Sequence, residues 1–295
     1  MAKVDCVLEA KNTLGEGVIW NTREKALYWV DSQGRPRIQR LDPKTGTVRR
    51  WDVPDEIGSM VFREKGGVIA GLKSGFHLID LDANGGKGSV ELLHDPEPDL
   101  KDNRLNDGKC DRAGRYWCGS LDNTGGANGM LYRVDRDLSV HRMETGVTVS
   151  NGIGWSPDNR TMYYASTRAD VCWAYDFDLA RGTIANRRVF IDTTGKPGKI
   201  DGATVDADGC YWCAHIFAWE IARYDPKGKL METVRLPVQH PTMCSFGGEK
   251  LDVLYVTTTR KFLKPGDERE QPLAGALFAI HATGAKGLPE PFFKG

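Results

Sequence analysis

The sequence carries no excess of either charge: 40 Lys and Arg stand against 40 Asp and Glu. Such a chain has no long-range field to draw it to nucleic acid or anionic lipid, so the expected partner is a small, weakly charged molecule, with no nucleic acid and no membrane. It also has no apolar stretch long enough to span a bilayer. At the N-terminus, Met1-Ala2-Lys3-Val4-Asp5-Cys6-Val7 interrupts its apolar residues with charge, and a secretion signal is not expected. Cysteine is sparse and odd in number, seven residues scattered through apolar strand-like runs, which suits reduced core thiols in a cytoplasmic protein rather than a disulfide framework. Familiar catalytic signatures are missing as well. The six histidines show no metal-ligand spacing and no G-x-S-x-G partner, and Gly85-Gly86-Lys87-Gly88-Ser89 lacks the phosphate-loop spacing. His215 and His240 are the two placed to face a pocket, although a structural or surface role is the simpler reading. Cys210-Tyr211-Trp212-Cys213 has C-x-x-C spacing, but residues three apart on an alternating strand face opposite sides, so the sulfurs diverge.

No run sustains a 3.6-residue apolar period, which disfavours helical and α/β architectures. What the chain has instead is a repeat. An opening turn leads to a short apolar strand, a charged Gly or Asn turn, an aromatic-rich strand and an alternating strand. It reads Gly17-Val18-Ile19-Trp20, then Ala26-Leu27-Tyr28-Trp29-Val30, then Ile38-Gln39-Arg40-Leu41. It returns as Gly152-Ile153-Gly154-Trp155, Met162-Tyr163-Tyr164-Ala165 and Cys172-Trp173-Ala174-Tyr175. Anchors at Glu16, Ser59, Asn106, Asn151, Asp201 and Thr242 give six units at a period of about 40 to 50 residues, as propeller blades require. The expected fold is an all-β six-bladed β-propeller, one domain over residues 1–295, with a central metal site. A closed ring needs a clasp, and residues 4–8 alternate like a strand that would pair with residues 276–280 of the last blade. The irregular stretches over residues 85–104 and 261–274 read as loops inside blades.

First strands ring a propeller's channel, so side chains at the start of each unit converge on one axis. Found there are Glu16 in Leu14-Gly15-Glu16-Gly17, Asn106 in Arg104-Leu105-Asn106-Asp107-Gly108, Asn151 in Ser150-Asn151-Gly152, and Asp201 in Ile200-Asp201-Gly202. Asn-Gly and Asp-Gly are ordinary turn dipeptides taken singly. Their recurrence at one phase, with glutamate where turn chemistry does not ask for it, points to an oxygen-ligand site. Glu16 and Asp201 supply negative charge and Asn151 a neutral carbonyl, a set suited to a hard cation such as Ca²⁺, Mg²⁺ or Mn²⁺, with positions left for water and substrate.

These residues also resemble the senescence marker protein 30, gluconolactonase and regucalcin-like family, over residues 14–281. Leu14-Gly15-Glu16-Gly17 with Trp20 is similar to its opening motif. Asn103-Arg104-Leu105-Asn106-Asp107-Gly108-Lys109 with Asp111, Gly114, Trp117 and Gly119 resembles its substrate-binding segment. Ser150-Asn151-Gly152 with Pro157-Asp158, Asp201-Gly202 with Asp206 and Trp212, and Phe246-Gly247-Gly248 with Gln271-Pro272-Leu273 continue the match. The resemblance implies a six-bladed propeller, one divalent ion (Ca²⁺, Mg²⁺, Mn²⁺ or Zn²⁺) on Glu16, Asn151 and Asp201, and a sugar lactone bound by Arg104 and Asn106. Two departures stand out: Ile200 replaces the usual proline before Asp-Gly, and Thr124 sits where regucalcin-like members carry an acidic substrate contact, so sugar specificity does not transfer.

Lactone hydrolysis needs an activated water and stabilisation of a tetrahedral oxyanion. The expected division of labour has the cation polarise the carbonyl, Asp201 position or deprotonate the water, and Arg104 with Asn106 orient the sugar. Arg168, Lys199 and Arg260 are candidate partners for a remote charge on an anionic sugar acid lactone. The rival expectations are another metal-dependent propeller hydrolase, acting on aryl esters or organophosphates as paraoxonase-like propellers do, and a non-enzymatic calcium-binding protein.

Overall fold

The computed structural model describes residues 2–295. Short period-two segments form six four-stranded antiparallel sheets. Their innermost strands are Gly15–Asn21, Ile57–Phe62, Asn103–Cys110, Ser150–Trp155, Lys199–Val205 and Pro241–Gly247, each containing or adjoining one of the anchors found by the repeat. Each inner strand packs against the inner strands of both neighbouring blades, and the ring is closed. The sequence-based six-bladed propeller is therefore the observed architecture.

The clasp is also as expected. Lys3–Leu8 joins the last blade as its outermost strand, pairing with Leu277–His281 from Lys3 opposite His281 to Leu8 opposite Leu277. One expectation needs correction: residues 85–104 are not a loop inside a blade. They contain the outer strand Ser89–His94 of the second blade, followed by the connection to the third. That strand is almost wholly exposed. With water on both faces its residues carry no apolar alternation by which to recognise a strand. Residues 261–274 do form a loop inside the last blade, with a short helix at Asp267–Glu270.

A recurring corner explains why several blades share a phrase. In Asp111…Trp117 the Asp111 Oδ1 accepts from the N–H groups of Ala113 and Arg115, and its Oδ2 accepts from Trp117 Nε1 at 2.9 Å and Arg115 Nε at 2.6 Å. Asp206 repeats this with Asp208, Cys210, Trp212 and Arg223. The aspartate fixes the turn as an Asx-type cap, and the buried indole it holds fills the blade interface. At the far end of the channel the C-terminal residues cross the strand turns: Phe293 donates to Phe62 O, Lys294 donates to Gly114 O, and Glu290 pairs with Lys109 at 2.9 Å. Phe293 is fully buried. The tail covers one end of the channel, leaving the other for a site.

Candidate active site at the open end of the channel

All six inner strands break their pairing register just after they start, at Glu16/Ile19, Ile57/Ser59, Leu105/Gly108, Asn151/Gly154, Ile200/Ala203 and Pro241/Met243. Such bulges bend a strand and re-aim the side chains beside them. Gly152, at φ +60, supplies the left-handed turn after Asn151. Gly58 lacks a side chain where a Cβ would lie 2.5 Å from Asn106 backbone atoms, which lets the second and third inner strands approach. Four anchors, Glu16, Asn106, Asn151 and Asp201, reach one cavity of about 460 Å³, together with Arg104. The other two do not. The hydroxyls of Ser59 and Thr242 instead bond to Asn106 O and Gly15 O, tying neighbouring inner strands together.

The amide groups are held in defined orientations. Arg104 Nη1 can only donate, and it reaches Asn106 Oδ1 at 2.7 Å; Asn106 Nδ2 then donates to Ser150 O at 2.8 Å and Asn151 Oδ1 at 3.0 Å. Asn151 Nδ2 donates to Thr167 Oγ1 at 2.7 Å, and the Thr167 hydroxyl spends its one proton on Ile200 O at 2.7 Å. Donors at one end and carbonyl acceptors at the other leave one arrangement of the chain. It presents Asn151 Oδ1 with a lone pair still free.

Burial, then the charges of Asp201 and Asp107, push the Glu16 carboxyl well above the ordinary range, with Arg104 opposing. Burial and Asp107 do the same to Asp201, again against Arg104. Asp107 is itself raised by burial, countered by the Ile153 N–H it accepts at 3.2 Å. Arg104 is lowered by burial and steadied by Glu56, Glu16 and Asp201; its Nε lies 3.3 Å from Glu56 Oε2, yet makes no hydrogen bond. Carboxyl groups that raise one another's pKa in a desolvated cavity are the environment a cation relieves. Among the described residues no three His, Cys, Asp or Glu side chains form a ligand group. A set here has to include the Asn151 amide oxygen, and two carboxylates with one amide oxygen fit a hard cation.

The match to known proteins runs through these same positions. Residues 14–260 fit the family model described as the SMP-30/gluconolactonase/LRE-like region. The chain belongs to this family. It is 38% identical to a 6-deoxy-6-sulfogluconolactonase of Pseudomonas putida, covering 98% of both chains, and 35% identical to regucalcin of Oryctolagus cuniculus, covering 99% of both. A solved regucalcin from Agrobacterium tumefaciens, described as a calcium-binding protein, superposes with a TM-score of 0.92 at 26% identity, covering 98% of this chain and 96% of that one.

Within that family frame, the structure brings Glu16, Arg104, Asn106, Asn151 and Asp201 together, along with Arg168 and Lys199. Arg260 is not at the cavity; its neighbour Lys261 is. Thr124 gives its hydroxyl to Asp122 Oδ1 at 2.6 Å, and Asn123 lines the cavity in its place. His215 is spent on Glu220 and Tyr224, each at 3.1 Å, and His240 packs against Phe217 and Phe262. Sequence reasoning passed over Thr167, Phe217, Lys261 and Phe262. They follow the ends of second strands, which lie beside the starts of first strands in an antiparallel blade; loops of unequal length there leave no repeat signal. Phe217 holds a positive φ of 74 on the cavity wall, strain of the kind that collects at functional sites.

Proposed function

We propose that this chain hydrolyses a sugar (aldono) lactone to the corresponding sugar acid, with one divalent cation held by Glu16, Asn151 and Asp201. The observation that carries the reading is the meeting, in one cavity of about 460 Å³, of two carboxyl groups, an oriented amide oxygen and the Arg104–Asn106 pair. That volume is in the range of small-molecule sites. When bound, a hard cation such as Ca²⁺, Mg²⁺ or Mn²⁺, or Zn²⁺, would polarise the lactone carbonyl and offset the oxyanion. Arg104 and Asn106 hold the sugar oxygens in reactive orientation. Asp201 positions a water and takes its proton as the water oxygen bonds to the carbonyl carbon. The ring C–O bond then breaks, and the ring oxygen leaves as a hydroxyl with that proton. Family membership and the named lactonase relative support this reaction class, and the neighbour described as a calcium-binding protein supports a divalent cation. All seven cysteines are free thiols, which supports a reducing, cytoplasmic setting.

The cavity wall favours one rival. Leu121, Val149, Ile216, Phe217 and Phe262 are apolar, as an aryl ester would want, although such a wall also takes the C–H face of a sugar ring. The test is turnover of a panel of aldonolactones and aryl acetates by protein stripped with EDTA and by protein reloaded with each ion. Lactone turnover that vanishes on stripping and returns with a hard divalent ion is expected. Full activity in metal-free protein overturns the metal assignment, and turnover of aryl acetates alone overturns the substrate.

A further inference from the structure

Four cationic side chains line the cavity: Arg104, Arg168, Lys199 and Lys261. Two have acids of their own. Arg104 pairs with Glu56, and Lys199 Nζ pairs with Asp170. Arg168 and Lys261 have no ion-pair partner among the described residues, although Glu56 and Glu16 exert some pull on Lys261. Arg168 is exposed, but its Nη1 donates to Asp122 O at 3.1 Å, which holds the guanidinium at the end of the second strand of the third blade. Lys261 stands on the loop after the second strand of the last blade, held by bonds from the N–H groups of Arg260 and Lys261 to Thr13 O at 3.1 and 3.0 Å. Partial desolvation and the guanidinium groups of Arg104 and Arg168 hold its ammonium below the ordinary range.

On the lactonase reading, on which this inference rests, the charges around the cavity do not all cancel. The carboxylates of Glu16 and Asp201 would be balanced by a divalent cation, Arg104 is balanced by Glu56 and Lys199 by Asp170, and the buried Asp107 does not line the cavity, so Arg168 and Lys261 are the charges left at its wall. Both side chains are solvent-exposed and line the same cavity, so an anion held there meets both charges. A neutral aldonolactone offers neither of them a partner. We propose that Arg168 and Lys261 form an anion subsite, and that the lactone taken here carries an oxyanion of the sulfonate or phosphate class on the carbon remote from the lactone carbonyl. The guanidinium supplies a planar pair of donors and the ammonium a movable point charge, a combination suited to a tetrahedral group with three acceptor oxygens.

The experiment compares kcat/KM for gluconolactone with that for its 6-sulfonate and 6-phosphate forms, in wild type, in Arg168→Ala with Lys261→Ala, and in Arg168→Lys with Lys261→Arg. Two charge-assisted contacts make a wild-type preference of about 10- to 100-fold for an anionic form the expected result, carried in KM. That ratio collapses toward unity in the double alanine variant and is largely kept in the charge-preserving variant. The larger of the two anionic rates identifies sulfonate or phosphate as the group. Equal kcat/KM for neutral and anionic lactones in wild type overturns the subsite, as does a ratio that survives both alanines. If no lactone is turned over, the lactonase reading fails, and calorimetric binding of 6-sulfogluconate and of inorganic sulfate decides the subsite by itself. Binding at least tenfold tighter to wild type than to the double alanine variant upholds it, and equal binding removes it.

Discussion

Replacing Asp201 by Asn separates what the residue does for stability from what it does for chemistry. Asn keeps the shape and one oxygen donor, suits the same turn, and removes a charge from a desolvated cluster in which Asp107 and Glu16 already crowd it. In chelated protein that charge is a burden, because the guanidinium that offsets it, Arg104, is shared with Glu56 and Glu16. Relief of an uncompensated buried polar group is worth on the order of 1–3 kcal/mol. With the usual entropy of unfolding per residue, 1 kcal/mol corresponds to about 1.6 °C in 295 residues, so Asp201→Asn without metal melts about 2–5 °C higher than wild type. Added metal reverses the order: at 100 times its dissociation constant an ion stabilises wild type by about 2.7 kcal/mol, or about 4 °C, and the variant by less. At full occupancy turnover stays about 10²-fold or more below wild type, the usual loss when a general base is removed. The assay is thermal unfolding with EDTA and across a metal titration, followed by turnover at independently confirmed occupancy against spontaneous hydrolysis. An unchanged or lower melting temperature in EDTA would refute the electrostatic argument. Near wild-type turnover at full occupancy would leave Asp201 a ligand and nothing more.

Arg104→Ala lowers kcat/KM by about 10²-fold while metal affinity, read by calorimetry, changes little; comparable losses in both would move Arg104 from the sugar to the ion. Thr167→Val leaves Asn151 Nδ2 without an acceptor and frees the amide to turn, so metal affinity falls by about 10- to 100-fold with the fold intact, and an unchanged affinity would show that Asn151 needs no such positioning. Chelated protein loses stability as pH rises. The folded pKa values of Glu16, Asp201 and Asp107 lie above their unfolded ones, so the stability they contribute is complete below about pH 4 and is lost as pH climbs through the folded values. Melting temperature measured in EDTA between about pH 5 and pH 8 therefore falls, with a shallower slope in Asp201→Asn; a rise over that window for both proteins would contradict the raised pKa values.

The sequence by itself determined the ring and the phase of its anchors. Six copies of one strand phrase dictate six sheets, and antiparallel order puts the start of every first strand at the same end of the channel, so Glu16, Asn106, Asn151 and Asp201 meet without any contact having to be guessed. The pairing of Lys3–Leu8 with Leu277–His281 was legible for the same reason, since a closed ring leaves one strand to finish it. What lay beyond reading was whatever the repeat does not govern. Thr167, Phe217, Lys261 and Phe262 come from loops of different length and composition, which share a cavity only because blades curve them to one mouth. Arg260 and Lys261 are neighbours in sequence with the same charge, and only the path of the folded loop decides which of them faces the site. Likewise Asp107 looks like the middle of a turn motif until burial beside Glu16 and Asp201 makes it part of their electrostatics. Periodicity fixes direction along a strand; distance between strands far apart in sequence, and the desolvation that sets charge energies, exist only once the ring has closed.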